Sequence, residues 1–293
     1  MKRFFSKIFF VFLFTFLIVA CGKDKTKEKP LIMGLVPISN SEKLLEDTAP
    51  LHKMLSEQIG REVKGYIATN YIGVVEALGT GSIDFALIPP FAYILANKKN
   101  NSEALLTSVS KNGEPGYRSV IITRTDSGIN NVEELKDKKI AFVDPSSTSG
   151  YIIPAVILKD YGIDPEKDIK AQFAGGHDKA LQLLLNGDVD GIGTYQSLID
   201  KYAKEFPGLK DKVKIIKESD LIPGITLTVS PKVDKETKEK IEKAFLTISD
   251  EKEGQELMTK LFGIKKFQKA DIESYKTIET KLEAMGIELD KIK

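Results

Sequence analysis

Two short stretches share one pattern: LGTGSID, Leu78–Asp84, and LLNGDVD, Leu184–Asp190. Both read Leu-x-x-Gly-x-[Ile/Val]-Asp. Each closes a helical apolar pattern at a glycine and opens an apolar run that reads as a strand. Working outward from the first, LIMGLVP (Leu31–Pro37) is a short apolar run and a buried parallel strand. A helix follows, capped by Asn40 or Ser41, with Leu44, Leu45, Leu51, Met54, Leu55 and Ile59 at helical spacing. EVKGYIA is a second strand, YIGVVEAL a short helix stopped by Gly79 and Gly81, and SIDFALIPP a third strand ended by prolines. Outward from the second stretch the order repeats. KIAFVDP is a strand ending in proline, a helix runs from about Ser149 to Tyr161, KAQFAG is a strand, HDKALQLLLNG a helix closed by Gly187, and DVDGIGTY a strand. Alternating elements of these lengths imply parallel sheets with right-handed crossovers. Two matched units predict an α/β protein of two similarly built lobes.

Two segments rich in β-branched residues flank the second unit: YRSVIITRTDSG (Tyr117–Gly128) and ITLTVSPKVD (Ile225–Asp234). They are expected to cross between the lobes as a hinge, giving residues 31–121 and 227–293 to lobe 1 and residues 122–226 to lobe 2. The Lys/Glu-rich segment after Asp234 reads as helices, with Ile241, Ala244, Phe245 and Ile248 on one face and Leu257, Leu261 and Phe262 on another, packed on lobe 1.

The 293-residue length fits about two domains, and a net charge of +1 from 43 Lys+Arg and 42 Asp+Glu argues against a nucleic-acid binder. The N-terminus is a separate matter. Lys2, Arg3 and Lys7 precede an apolar run from Ile8 to Ala20, the layout of a secretory signal over residues 1–20. That run is shorter than the roughly 20 residues of a membrane-spanning helix. It ends in LIVAC, and Cys21 is the only cysteine. This resembles a bacterial lipobox, which implies cleavage before Cys21 and a lipid on its sulfur. A lone cysteine forms no internal disulfide, so the fold rests on its core. Residues 21–30 are polar and Lys-rich, a flexible tether.

A cleft between two such lobes faces the carboxyl ends of parallel strands, where ligands bind in open α/β sheets. DPSSTSGY, Asp144–Tyr151, lies at such a strand end and at a helix start, with hydroxyls on Ser146, Ser147, Thr148 and Ser149. Helix N-termini hold unpaired N–H groups and partial positive charge, so this is a site for a tetrahedral oxyanion. A cap alone would need one serine.

DPSSTSGY, then GGHDKAL and NGDVDGIGTY, with ATNYIGVVEAL and DFALIPPFAY upstream, resemble the phosphate/phosphite/phosphonate-binding proteins of ABC transporters, the PhnD-like, type II periplasmic binding proteins. The likeness covers nearly all of the chain after the signal. It implies two Rossmann-like lobes with mixed, mostly parallel sheets. It implies ligand contacts from Ser147, Thr148 and Ser149, from the Tyr71 and Tyr93 hydroxyls, and from His177. Gly175 and Gly176 before His177 let the backbone come close to a ligand. His52 is expected at the surface, and Tyr151 in packing. Relatives that bind 2-aminoethylphosphonate hold its ammonium with acidic side chains. At the corresponding places this chain has Gln196 and either Ile225 or Thr226, so an ammonium would lack a partner and aminoalkylphosphonates are not the expected ligand. Gln196 is retained as a binding residue.

The implied function is capture of phosphate, phosphite or a small alkylphosphonate by hinge closure, and delivery to an ABC permease. The protein is expected as a monomer without cofactor or metal, lipid-anchored to a membrane outside the cytoplasm, in the periplasm or at the cell surface. Another small organic anion or a vitamin is the alternative cargo. A hydrolase is disfavoured: His177 and Asp178 are adjacent, which prevents a Ser-His-Asp relay, and there is no Gly-x-Ser-x-Gly elbow.

Overall fold

The computed structural model describes residues 28–284 and Gly286. The signal segment and Cys21 lie outside the described residues. In chain order the first unit is β1 (Leu31–Leu35), α1 (Ser41–Ile59), β2 (Val63–Ile67), α2 (Tyr71–Thr80), β3 (Phe85–Ile88), α3 (Pro90–Asn100) and β4 (Glu103–Ser110). Next come β5 (Gly116–Tyr117), β6 (Ser119–Arg124), β7 (Lys139–Phe142), a π-helical turn (Thr148–Ile152), α4 (Ile153–Asp160), β8 (Lys170–Phe173), α5 (His177–Asn186) and β9 (Gly191–Tyr195). The chain continues through α6 (Leu198–Tyr202), α7 (Leu209–Lys212), β10 (Val213–Glu218), β11 (Ile222–Pro223), β12 (Thr226–Val229), α8 (Lys235–Asp250), α9 (Lys252–Phe262), β13 (Ile264–Lys269) and α10 (Ile272–Ala284).

The strands form a six-stranded sheet, order β13-β4-β12-β3-β1-β2, and a five-stranded sheet, order β10-β6-β9-β7-β8. Parallel pairing joins β1 to β2 and β3, and β7 to β8 and β9. These are the two matched units of the sequence. The β-branched segments that flank the second unit enter the sheets antiparallel, β6 pairing with β9 and β10 and β12 lying between β3 and β4, and the chain passes from one sheet to the other just ahead of each, at β5 and β11. Strands β6 and β12 are buried on two faces, which accounts for their unbroken apolar character. The short ribbon β5–β11 runs between the sheets.

The repeated Leu-x-x-Gly-x-[Ile/Val]-Asp motif has one structural job in both places. Gly81 and Gly187 end α2 and α5 in the left-handed conformation, at φ 76° and 79°. Asp84 Oδ2 accepts from Ile32 N at 2.7 Å, and Asp190 Oδ2 accepts from Lys139 N at 2.9 Å. Each aspartate thereby ties its strand to the start of the first strand of its own unit.

One face of the large sheet buries Leu31, Met33 and Phe85 against α1 and against Ile241, Phe245 and Ile248 of α8. A second cluster joins α2 and α3 to Val143 and Ile152 of the other unit, so the two halves share packing. His52 is not at the surface: it is 8% exposed, and its ring lies over Gly65 of β2, where an added Cβ would come within 2.2 Å. The missing side chain opposite makes room for the imidazole, and burial lowers its pKa. Tyr151 packs, as expected, edge-on to Phe142 and Phe173.

Candidate functional site

After β7, Asp144 turns the chain. Its Oδ1 accepts from Ser146 N at 2.7 Å and its backbone carbonyl accepts from Ser147 N at 2.9 Å. Ser147 Oγ then caps the π turn, accepting from Gly150 N at 3.1 Å. Gly150 is required here because a Cβ would sit 2.5 Å from Val143. The wide turn leaves the N–H groups of Thr148 and Ser149 without intrahelical acceptors, as at any helix start.

Around this loop is a cavity of about 770 Å³ lined from both sheets. Tyr71, Tyr117, Ser147, Ser149, His177 and Tyr195 border it. Burial drives the Tyr71 hydroxyl far above its usual pKa and the nearby Asp144 charge adds to this, while Ser147 beside it pulls the other way. Burial raises Tyr117 to about 12, against the pull of the Ser149 and Thr148 hydroxyls. Both phenols are therefore protonated donors. His177 is pushed down to about 3 by burial and then by the Lys201 charge. Its Nδ1 is 2.8 Å from Thr194 Oγ1, and the ring stands edge-on to Tyr195. A neutral ring carries one N–H, on Nδ1 when it donates to Thr194 Oγ1 and on Nε2 when that hydroxyl donates to it.

Three backbone N–H groups at helix starts cross between the halves. Tyr71 N donates to Asp144 Oδ2 at 3.3 Å, Phe91 N to Thr148 Oγ1 at 2.9 Å, and His177 N to the Ile38 carbonyl at 3.3 Å. Gly175, at φ 77°, lets the chain make the last approach.

The expected site residues divide. Tyr71, Ser147, Ser149, His177 and Gln196 meet at the cavity. Gln196 Oε1 is buried with no hydrogen-bond partner among the described residues. Thr148 is fully buried, and its hydroxyl is taken by Phe91 N. Tyr93 does not reach the cleft. Its ring packs edge-on against Tyr275 of α10 at 4.9 Å, and its hydroxyl turns to the backbone of Ala104. The reason is the face of α3 it occupies, which α10 covers. Ile225 borders the cavity, whereas Thr226 Oγ1 bonds the Ile88 carbonyl inside the sheet at 3.0 Å. Sequence reading missed Tyr117 and Tyr195, and it weighed Asp178 only as a catalytic acid, not as the cavity carboxylate that it is. Tyr117 ends the short β5 strand and carries no local motif. Tyr195, by contrast, ends DVDGIGTY and occupies the same strand-end position that makes DPSSTSGY legible.

Comparison with known proteins gives a consistent answer. The family described as ABC transporter, phosphonate, periplasmic substrate-binding protein matches residues 33–275. The phosphate-import protein PhnD of Mycolicibacterium smegmatis is 34% identical over 245 residues, covering 77% of this chain and 76% of the relative. The phosphonates-binding periplasmic protein of Escherichia coli is 26% identical over 239 residues, covering 80% and 71%. Among solved structures, a binding protein component of an ABC phosphonate transporter from Pseudomonas aeruginosa superposes with TM-score 0.81 at 26% identity, covering 90% of this chain and 88% of that one. PhnD1 of Prochlorococcus marinus, solved with methylphosphonate, has TM-score 0.79 at 21% identity, covering 89% and 99%, which bears on the fold alone. The fold is that of the type II periplasmic binding proteins. With its two βαβαβ units, its hydroxyl loop at the cleft and this match over most of its length, the chain belongs to the family of periplasmic substrate-binding proteins of phosphonate ABC transporters.

Proposed function

We propose that this protein captures a phosphorus oxyanion (phosphate, phosphite or a small alkylphosphonate) and presents it to an ABC permease. The observation that carries the reading is the ring of neutral donors in one cavity: the Ser147 and Ser149 hydroxyls, the N–H groups of the π turn, the Tyr71 and Tyr117 phenols and the neutral His177 ring. Oriented neutral donors at a helix start satisfy many oxyanion lone pairs. Thr148 contributes through its backbone and through the contact with Phe91. The relatives named for phosphate and phosphonates support the same cargo class.

The two sheets act as lobes that close about the β5–β11 ribbon, and the closed form is the one a permease reads. The protein works as a monomer outside the cytoplasm, held to a membrane by lipid on Cys21. Among the described residues no helix is long and apolar enough to cross a membrane. Cys21→Ser releasing the protein into the soluble fraction is the expected result for the anchor. Retention of an unprocessed precursor in membranes would refute it.

The direct test is calorimetric titration of the chain from Gly22 onward with phosphate, phosphite, methylphosphonate, 2-aminoethylphosphonate and sulfate. Saturable binding of a non-amino phosphorus compound, with sulfate much weaker, is expected. Absence of binding by all the phosphorus compounds would overturn the reading.

A further inference from the structure

The donor ring occupies one part of the cavity. A phosphoryl group with a methyl substituent is far smaller than about 770 Å³, a volume in the range of pockets for larger organic ligands. Beyond His177 the cavity is bordered by Lys201 on α6, facing Leu261 on α9 across the cleft. The Lys201 Nζ donates to the Leu261 carbonyl at 3.4 Å, at the long limit of a hydrogen bond. Its ammonium carries three donors, and among the described residues no carboxylate oxygen lies within 4 Å of it. Asp200, its neighbour in the chain, is engaged by Lys210 at 2.7 Å and Lys111 at 4.0 Å instead.

The charged groups facing Lys201 are Asp178 on α5 and Asp47 and Lys43 on α1, with Lys204 and Glu205 bordering the same space. Burial lowers the Lys201 pKa, and the attraction of Asp178 and Asp47 does not offset it. Asp178 is better provided for. Its Oδ1 accepts from Lys179 N at 2.9 Å, and it stands in the first turn of α5, where the helix dipole favours negative charge. Besides the long bond to Leu261, the cation has the Tyr202 ring at 5.8 Å and, among the described residues, no carboxylate in contact. It lines the same cavity as the donor ring, and its charge acts on His177.

We propose that Lys201 binds a carboxylate carried on the ligand's organic substituent, so that the preferred cargo is a short phosphonate or phosphate ester bearing a carboxylate. This rests on the function proposed above, with the phosphoryl group seated on the Ser147–Ser149 loop. The ammonium replaces a long bond to a carbonyl by a charge-assisted one to an oxyanion. A plain alkyl group would leave it as it is.

The test is calorimetric titration of wild type and Lys201→Met with 3-phosphonopropionate, propylphosphonate, 3-aminopropylphosphonate and methylphosphonate. Methionine keeps the stem and removes the charge. In wild type, 3-phosphonopropionate should bind about 10-fold or more tighter than propylphosphonate, the scale of one hydrogen bond to a charged group. In Lys201→Met that preference should shrink to within about 2-fold, with methylphosphonate binding unchanged within the same margin. Equal binding of the carboxylate and alkyl compounds by wild type, or tightest binding of the amino compound, overturns the proposal alone. So does an equal loss for every ligand in Lys201→Met, which would make the Leu261 contact a closure latch. Failure of methylphosphonate and every other phosphorus compound to bind wild type would overturn the proposed function, and this proposal with it.

Discussion

The backbone N–H of Phe91 donates to the Thr148 hydroxyl at 2.9 Å, from the first turn of α3 in one half to the hydroxyl loop of the other. Both ends are fully buried. The third hydroxyl of DPSSTSGY thus links the two halves as an acceptor and keeps its own proton to donate. Thr148→Val should leave that N–H unpaired in the closed form, a cost of about 1–3 kcal/mol. Ligand affinity should fall about 5- to 100-fold. Small-angle scattering of the ligand-free variant should give a larger radius of gyration than wild type. An unchanged radius and affinity would show that closure does not depend on this bond.

Tyrosines 71 and 93 separate cleanly. Tyr71→Phe removes a donor from the cavity and should weaken phosphoryl binding about 10-fold, whereas Tyr93→Phe should leave it within about 2-fold. Titration of both variants with one phosphonate measures this. A matching loss in Tyr93→Phe would mean that the α10-covered face of α3 opens to ligand.

Histidine 177 should stay neutral. With its pKa held near 3, against an ordinary value of 6.5, its NMR resonances in the free protein should not titrate between pH 5 and 8. The folded state resists the proton that the unfolded chain accepts below 6.5. Its stability contribution is therefore complete above that pH and shrinks on acidification toward 3, by about 2 kcal/mol at pH 5. Denaturant melts of His177→Gln should show a shallower loss between pH 7 and 5 than wild type. Buried His52 acts with the same sign and remains in both proteins.

Asp144 works in the opposite direction. Burial raises its carboxyl above the ordinary value, against the pull of the Ser146 and Tyr71 N–H groups. The unfolded chain then ionises first as pH rises, so the stability linked to this group is largest below the unfolded pKa and is lost as pH climbs through the folded one. The stability of wild type minus that of Asp144→Asn should decrease from pH 3.5 to pH 7. A flat difference across that window would show that the carboxylate is not strained by burial.

Gly150 is the narrowest point of the loop. Gly150→Ala drives a methyl into Val143 and within 2.7 Å of Ser147 Oγ, and should cost about 1–3 kcal/mol together with most of the ligand affinity. Val143→Ala in the same chain should restore part of both, since neighbouring changes couple. No rescue would place the damage in the backbone instead.

Much of this fold is legible in the sequence. Short unbroken apolar runs mark the strands and 3.6-residue periodicity the helices of both units, and the paired Gly and Asp of the repeat mark where each unit closes. The hydroxyl loop was visible because a strand end, a helix start and consecutive serines coincide. What stayed hidden depends on contacts distant in sequence. Nothing near Tyr93 or Tyr117 says that α10 covers the first while the second points into the cleft. His52 reads as a surface residue until Gly65 is set opposite it in the packed sheet. The β-branched runs of β6 and β12 resemble crossing linkers as much as central strands, because pairing partners are not written in a strand.

The position of β12 also fixes the order in which the molecule can be assembled. It is the inner neighbour of β3, with Thr226 bonding Ile88 across 138 positions of chain. All strands of the five-stranded sheet lie between Ser119 and Glu218, ahead of it in synthesis and export. That inserted half can therefore complete itself while the earlier half still lacks its central strand and shows the bare apolar edge of β3, a template for unwanted pairing. Pairings of such long range form slowly. The half made first is thus the half that folds last, and its exposed edge is the window in which a nascent chain of this kind is most open to aggregation.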